Sequence, residues 1–333
     1  MKRSVFIVVI ELILLSFASA NAPAAETPST GTLTVMFEND LFSSHDGHYT
    51  NGIGFVWVPD RGTPTPGWAE RLATLLPWFP SGGELRHGYA FGQNMYTPDS
   101  IDQSDPPSTE RPYAGWLYGN FGVGRVSDRQ LDLLIATVGV VGPDSGAEQT
   151  QKAVHRIFGA NQPQGWSTQL HNELGVGLTY ERMWRGEEHR SPISGRAFDI
   201  SPYAGGTVGN VYTYADTGVL LRYGNRLPKD FGPPRIQPAL LGSGEFFPSE
   251  SFNWYLFAGV EGRYVARNIF LDGNTFRDSR SVDKKNWVGD AQFGIVLDWQ
   301  TFRVTYTHVR RTREFTTQGH EDSFGALTFS TRL

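Results

Sequence analysis

Polar side chains that could bind a metal ion or polarise a carbonyl group are concentrated in two short runs near the start of the chain. The first run, residues 37–42, contains Asn39 and Asp40, and the second, residues 48–52, contains Thr50. Each run lies where one predicted β-strand ends or the next begins. Functional side chains are common at such places because a rigid scaffold positions them. We therefore take these two runs as a candidate site region.

A second candidate group lies on a predicted helix over residues 147–159, for which Gly159 is a suitable C-terminal cap. Gln151 and His155 are four residues apart, so they share one face of that helix. Imidazole exchanges protons near neutral pH, which makes His155 the best-placed general base in the chain. The alternative is a surface histidine on a capping helix. We expect the helix to lie across the mouth of a barrel and to hold this face against the ends of the first two strands.

The elements that position these residues are strands, which the sequence marks by alternation with a period of two. In residues 287–299, Trp287, Phe293 and Trp299 fall on one face and Asp290 falls on the other. An apolar face with an aromatic residue at each end is typical of a strand that faces lipid. A soluble β-sandwich would also alternate, but with polar outer faces.

Twelve stretches of this kind can be counted, an even number as in bacterial outer-membrane barrels. They lie at about 31–40, 49–58, 86–95, 113–126, 130–142, 170–184, 196–210, 216–225, 252–266, 286–299, 301–311 and 322–333. The predicted fold is all-β, a closed antiparallel transmembrane β-barrel of about twelve strands over residues 31–333, with a short helix in an extracellular loop.

Composition is compatible with this fold and excludes several classes of function. The 333 residues include 22 Phe, 9 Trp, 13 Tyr and 38 Gly, although the mean hydropathy is only −0.34. The formal net charge of −5 provides no basic field, which argues against nucleic acid as a partner. The chain has no cysteine, so disulfides, thiolate metal sites and cysteine nucleophiles are excluded.

The N-terminus indicates export. Residues 1–20 show the order of a secretory signal peptide, with Lys2 and Arg3, an apolar stretch and then small residues that end at Ala20. A membrane anchor is the alternative, but the apolar stretch of about 14 residues is interrupted by Glu11 and is shorter than the roughly 20 residues that span a bilayer. We expect cleavage after Ala20, followed by a short N-terminal segment over residues 21–30.

The rest of the sequence has no apolar helix long enough to span a bilayer, so if the exported protein is a membrane protein it must be a closed barrel. Together with the strand pattern, this predicts an integral barrel of the bacterial outer membrane, with the site on the extracellular side. With a periplasmic N-terminus, the connections near residues 40–49, 95–112 and 142–170 are extracellular, and they contain the candidate site. Residues 68–79, in a periplasmic connection, have the pattern of a short amphipathic helix, which predicts an interfacial or plug element.

Several motifs, in this order and at these strand ends, resemble the outer-membrane lipid A 3′-O-deacylase family (LpxR-type). They are the Asn-Asp pair at 39–40, Tyr-Thr-Asn-Gly at 49–52, the strand end at 93–98, Arg-Pro-Tyr-Ala-Gly-Trp at 111–116, and Gly-Pro-Asp at 142–144 leading to the helix at 151–160. The resemblance implies a twelve-stranded barrel with a calcium-dependent site near the outer leaflet. It also implies the reaction, which is removal of the 3′-linked acyloxyacyl group of lipid A.

The same resemblance assigns roles to the candidate residues. His155 would activate a water molecule, and Asp40 would bind Ca²⁺, a hard ion that prefers oxygen ligands. The metal would polarise the ester carbonyl, and Asn39, Thr50 and Gln151 would complete the site. The expected partners are lipid A, or lipopolysaccharide, of the outer leaflet and the surrounding membrane lipids.

One stretch departs from the family pattern, because residues 100–107 are acidic where a relative is rich in lysine. Either Arg111 or Arg156 could contact a lipid A phosphate instead, or each could form a structural ion pair. Two other functions stay open from the residues alone. One is a non-catalytic barrel, either a narrow pore or a lipopolysaccharide-binding protein. The other is an outer-membrane phospholipase, although no serine and histidine pair stands out on a strand.

Overall fold

The computed structural model describes residues 29–39, 48–233 and 251–333. The predicted signal peptide at residues 1–20 and Asp40 therefore lie outside the described residues.

Twelve long antiparallel strands form a closed barrel. They are β1 (Gly31–Asn39), β2 (His48–Pro59), β3 (Glu84–Thr97), β4 (Ala114–Val126), β5 (Gln130–Val141), β6 (Glu173–Trp184), β7 (Ala197–Gly209), β8 (Tyr212–Gly224), β9 (Asn253–Asn268), β10 (Trp287–Asp298), β11 (Phe302–Arg311) and β12 (Asp322–Arg332). Each strand pairs with the next along the chain, and β12 returns to pair with β1. A two-residue strand, His189–Arg190, extends the edge of β7. The predicted fold class is thus confirmed.

The side chains alternate across the wall as the sequence pattern predicts. On β10, Trp287 is 73% exposed and Phe293 is also exposed, whereas Val296 and Asp298 are buried in the lumen. On β1, Met36 is buried on the lumenal side. Because every strand has two partners, the backbone groups of the wall are paired within it, as a lipid environment requires.

The barrel has two ends that differ in their connections. The helical end bears the connections at 98–113, 142–172, 210–211, 269–286 and 312–321. The terminal end bears the first and last residues of the barrel, where Thr30 N donates a hydrogen bond of 2.6 Å to Leu333 O.

Two helices of more than one turn lie at opposite ends of the described barrel. α1 (Gly67–Ala73) is at the terminal end and α2 (Ala147–Phe158) is at the helical end, both close to their predicted positions. Among the described residues, no helix is long and apolar enough to cross a bilayer.

Strand bounds agree with the sequence pattern to within a few residues, and the largest shift is at the start of β8. That strand begins at Tyr212 instead of about residue 216, because Asn210 and Val211 form a two-residue turn. The Asn210 side chain ties this turn to β6, since it accepts from Val176 N at 2.8 Å and donates to Glu173 at 2.9 Å.

Buried ion pairs fill the lumen near the terminal end. Asp230 folds into the barrel from the connection between β8 and β9 and is completely buried. Its two carboxylate oxygens accept from Arg222 Nη1 at 2.5 Å and Arg303 Nη1 at 3.0 Å. Phe231 packs beside it against lumenal side chains that include Tyr203. This packing is unfavourable to an open pore at the terminal end.

Candidate active site

α2 packs on the outer face of the barrel wall at the helical end. On β3 the exposed Tyr89 and Phe91 define the outward side, and Gln93 and Met95 continue the same alternation. Gln93 Nε2 donates to the carbonyl of Ser145 at 2.6 Å, next to the start of α2. The helix therefore lies against the lipid-facing side of the wall, whereas the sequence-based expectation placed it across the mouth.

A glycine on β4 makes this close packing possible. A Cβ atom on Gly115 would lie 2.0 Å from Ser145 Oγ and 2.4 Å from Ala147 Cβ, far inside van der Waals contact. Ala147 and Met95 belong to one buried cluster with Tyr113 and Trp166. Only the smallest residue at position 115 lets the first turn of α2 rest directly on the strand.

Glycines also set the bounds of α2. Gly146 at its N-terminus and Gly159 at its C-terminus have φ values of 71° and 64°, in the left-handed region that glycine adopts at little cost. Gly159 is the C-cap expected from the sequence.

Gln151 is fixed in one orientation by a tryptophan. Trp166 Nε1 donates to Gln151 Oε1 at 2.7 Å, and an indole N–H can only donate. The amide oxygen must therefore face Trp166, which turns Nε2 away from the indole. Gln151 is only 2% exposed, and its Nε2 has no hydrogen-bond partner in the structure as described. Such a donor is available for an oxygen atom of a bound molecule.

The contacts of His155 select its tautomer. Its Nδ1 lies at hydrogen-bond distance from the carbonyl oxygen of Asn161. Because a carbonyl can only accept, Nδ1 bears the proton and Nε2 of the neutral ring keeps its lone pair. His155 is half-buried, one helical turn beyond Gln151. A backbone carbonyl that fixes the ring in this way is a common support for a general base.

Asn39 faces outward at the same end of the wall. On β1 the side chain of Met36 points into the lumen, and Asn39, three residues later, lies on the opposite face. In the strand register Asn39 is opposite Asn51, and Asn51 is opposite Met95, which packs under α2. Two strand spacings amount to about 10 Å. The structure therefore brings Asn39 and Gln151 to one side of the wall.

Thr50 occupies an irregularity of β2 at this end. Tyr49 pairs with Tyr96 and Asn51 pairs with Met95, so Thr50 is an extra residue that β3 does not match. Bulges of this kind redirect side chains and occur often beside active sites. Asp40 follows Asn39 directly in the chain and lies outside the described residues.

The two arginines expected near a phosphate have different environments. Arg111 is 1% exposed, pairs with Glu314 Oε2 at 3.4 Å and lies 5.0 Å above the ring of Tyr96. Tyr96 points into the lumen, so Arg111 is on the side of the wall opposite α2, where it pairs with Glu314. Arg156 is exposed on α2, where its Nε donates to the carbonyl of Lys152 at 3.3 Å.

The donor chemistry of the candidate site fits Ca²⁺. Within the described ranges, no group of three or more His, Asp or Glu side chains could hold a metal ion. Asp40, the carboxylate that the family resemblance assigns to the metal, lies outside these ranges, and Asn39 and Thr50 at the candidate site bear neutral oxygens. An all-oxygen set suits a hard cation.

Three residues of this arrangement were not among the sequence candidates. Trp166 orients Gln151, Asn161 orients His155, and Asn51 connects β1 to β3. The first two lie in an irregular connection, where periodicity gives no signal.

Tyr113 packs on Trp166, with ring centroids 5.1 Å apart. Burial raises the pKa of the Tyr113 hydroxyl to about 12. The hydroxyl therefore stays neutral and donates to the carbonyl of Ile101.

Comparison with known proteins gives the family. The sequence matches the family described as "Outer membrane protein LpxR" over residues 9–333. The chain belongs to the LpxR family. The structure of this LpxR-family barrel is similar to that of LpxR from Salmonella typhimurium, with a TM-score of 0.74 and 20% sequence identity, over 91% of this chain and 100% of that chain.

Other barrels are less similar. The β domain of the Bordetella autotransporter BrkA has a TM-score of 0.43 at 8% identity, over 92% of this LpxR-family chain and 99% of that chain. No curated protein matches the sequence. Membership of the LpxR family places the protein in the outer membrane and supports a lipid A deacylase, and the twelve-stranded fold agrees with that of the Salmonella protein.

Proposed function

We propose that this protein is an outer-membrane lipid A 3′-O-deacylase that hydrolyses the ester of the 3′-linked acyloxyacyl group. The single observation that supports this most strongly is the position of α2. The helix that bears Gln151 and His155 packs on the lipid-facing side of the wall, the side to which Asn39 also points from two strands away. A substrate in the membrane reaches that side without entering the lumen.

In the proposed reaction His155 is the general base. Its Nε2 accepts a proton from water while the water oxygen bonds to the acyl carbon. The ester C–O bond then breaks, and the proton passes from His155 to the departing alcohol oxygen. Asn161 holds Nδ1–H throughout, so the same ring nitrogen takes up and returns the proton.

In this reaction Gln151 stabilises the negative charge that develops on the carbonyl oxygen of the ester. Its Nε2 is already oriented by the bond from Trp166 to Oε1, so little reorganisation is required when the oxyanion forms. When bound, Ca²⁺ would add a positive charge that polarises the carbonyl. Asp40 would hold the ion, and Asn39 and Thr50 would complete the site.

The orientation in the membrane follows from the substrate. Lipid A occupies the outer leaflet, so the helical end faces the cell exterior and the terminal end faces the periplasm. Arg156, exposed on α2, is better placed than the buried Arg111 to contact a phosphate from that side.

The test in cells is mass spectrometry of lipid A from a Gram-negative strain that expresses the protein. We expect loss of the mass of one 3′-linked acyloxyacyl group with the natural chain and no loss with His155→Ala. A matched control is His189→Ala, an exposed histidine at the terminal end. Unchanged acylation with the natural chain, at normal levels of folded barrel, would refute the proposal.

The calcium assignment has a separate test that does not depend on turnover. We expect the purified barrel to bind Ca²⁺ in isothermal titration calorimetry and Asp40→Ala to bind it much more weakly. Asp278→Ala, at an exposed loop residue of the same end, is the control. Equal binding by the natural chain and Asp40→Ala would exclude Asp40 as the ligand.

A further inference from the structure

α1 and the turn after it, residues 67–79 and here called the wall segment, pack on the outside of the barrel at the terminal end. Ala69, Ala73 and Phe79 are buried against Val123 of β4. Val123 points outward, because Tyr118 on the same strand belongs to the lumenal cluster and lies an odd number of residues away. The sequence left two roles open for this segment, a plug and an interfacial element. A segment on the outside of the barrel cannot plug the lumen, so the interfacial role is the one that fits.

Two polar contacts fasten the wall segment to the strands beneath it. Arg125 Nη2 pairs with Glu70 Oε1 at 3.2 Å near one end of the segment. Arg182 Nη2 donates to the carbonyl of Trp78 at 3.0 Å near the other end. Arg182 also forms an ion pair with Asp132, with 2.6 Å between Nε and Oδ1. Both arginines point outward from the wall. The segment is therefore attached at both ends with apolar packing between them.

The helix has a polar edge and an apolar edge, and the contacts show which way each edge points. Trp68 packs on Phe121 with ring centroids 5.1 Å apart, toward the middle of the wall. Glu70 pairs with Arg125, which is four residues nearer to the terminal end on the same strand. The apolar edge therefore points toward the middle of the membrane and the polar edge points toward water.

The apolar edge lacks a protein cover in the structure as described. Trp68 and Leu72 are four residues apart on one side of α1, and Leu75 follows in the turn after the helix, where its N–H donates to the carbonyl of Leu72 at 3.2 Å. The three residues are 57%, 54% and 74% exposed. Thr74, also exposed, lies on the polar edge.

The separation of the two helices matches the thickness of a membrane. α2 rests on Gly115 and the wall segment rests on Val123, on the same strand and the same face. Eight residues of strand span about 26 Å. A strand tilt of about 40° reduces this to a height of about 20 Å, near the roughly 25 Å apolar band of such barrels. The wall segment thus lies at the membrane boundary opposite to that of α2.

We propose that the wall segment is a membrane anchor that inserts Trp68, Leu72 and Leu75 into the phospholipid leaflet at the terminal end, at the boundary between headgroups and acyl chains. Tryptophan is favoured at that boundary because its ring is apolar and its N–H can reach water. Leucine side chains beside it supply apolar area to the acyl region. The lipid-facing wall continues directly into the exposed edge, so one lipid phase covers both.

The absence of cysteine permits a direct test on the full chain. Single cysteines at Leu72, Leu75 and, as a matched control in the same wall segment, Thr74 would carry an NBD fluorophore in barrels reconstituted into phosphatidylcholine vesicles. We expect blue-shifted emission at positions 72 and 75, with strong quenching by lipids that carry a nitroxide near the headgroup. The probe at position 74 should emit at longer wavelength and be quenched by aqueous iodide.

Two results would overturn the proposal. Iodide quenching at 72 and 75 equal to that at 74 would mean that the apolar edge faces water. Blue-shifted emission without quenching by nitroxide lipid would mean that protein covers the edge, for example a second copy of the chain. A change in electrophoretic mobility on heating, which folded barrels show, would verify that each labelled variant is folded.

Discussion

At the scale of single residues, the orientation of Gln151 depends on one bond from Trp166. Replacing Trp166 by Phe keeps an aromatic ring in the cluster with Tyr113 but removes the N–H that fixes Gln151 Oε1. A buried acceptor left without its donor costs about 1–3 kcal/mol. The amide can then rotate and withdraw its Nε2 from the substrate.

We therefore expect Trp166→Phe to lower kcat for lipid A deacylation by roughly tenfold, since about 1.4 kcal/mol corresponds to a factor of ten. KM should change little, because the proposed contact strengthens only as charge develops. Steady-state kinetics on purified barrels in detergent would measure both. Trp299→Phe, at the terminal end, is the control, and an equal effect there would remove the specific role of Trp166.

At the scale of elements, the packing of α2 on β4 depends on the missing side chain of Gly115. In Gly115→Ala the new methyl group would overlap Ser145 and Ala147, which lie within 2.4 Å of its position. Because these atoms belong to the start of α2 and the turn before it, the helix must move away from the wall. A displacement of about 1 Å can cost on the order of 100-fold in rate.

We expect Gly115→Ala to lose most of its deacylation activity while the barrel stays folded and α2 becomes more sensitive to proteases. Gly119→Ala is a matched control on the same strand and the same face, since its Cβ would meet only Ala90 O at 3.8 Å. Activity assays and limited proteolysis of the 142–172 connection would measure the two effects. Full activity of Gly115→Ala would show that the close contact with α2 has no role in the site.

Strands were more predictable than the placement of α2. Alternation marks a strand because one face meets lipid and the other meets the lumen, and this pattern located all twelve strands to within a few residues. The amphipathic pattern and Gly159 predicted α2 itself. Its place outside the wall was not predictable, because it depends on Gly115, and a lone glycine in a strand has many possible causes.

At the scale of the whole molecule, Asp230 connects two buried arginines across the lumen. Removing the carboxylate in Asp230→Ala deprives Arg222 and Arg303 of one hydrogen bond each, while Arg222 keeps Asp199 and Arg303 keeps Asp298. Because each lost bond joins two charged groups in a buried site, the two together contribute about 3–6 kcal/mol to stability.

We expect Asp230→Ala to lower the free energy of unfolding by about that amount in urea titrations of the purified barrel. Asp278→Ala, at an exposed loop residue, should change it by less than about 0.5 kcal/mol. Planar-bilayer recordings give a second readout, because release of the Asp230 segment should raise the conductance of a barrel that is otherwise nearly closed. Equal stability of the two variants would contradict the role of Asp230.

The candidate site was predictable in part, and the division has a physical basis. The alternation marks the strand ends and the helical period puts Gln151 and His155 on one face, whereas the choice of Asn39 and Thr50 within the strand-end runs rests on the family resemblance. Trp166 and Asn161 act through single bonds within an irregular connection, and such bonds depend on the folded path of the chain.

The proposed function is tested most directly by the release of acyl chains from purified lipid A by the purified barrel with Ca²⁺. We expect the natural chain to release the 3′-linked group. His155→Ala, verified as folded by its heat-dependent electrophoretic mobility, should be slower by about 100-fold or more. His189→Ala should match the natural chain. Equal rates for His155→Ala and the natural chain would contradict the proposed function of the site, because the site on the lipid-facing wall would then not perform the reaction.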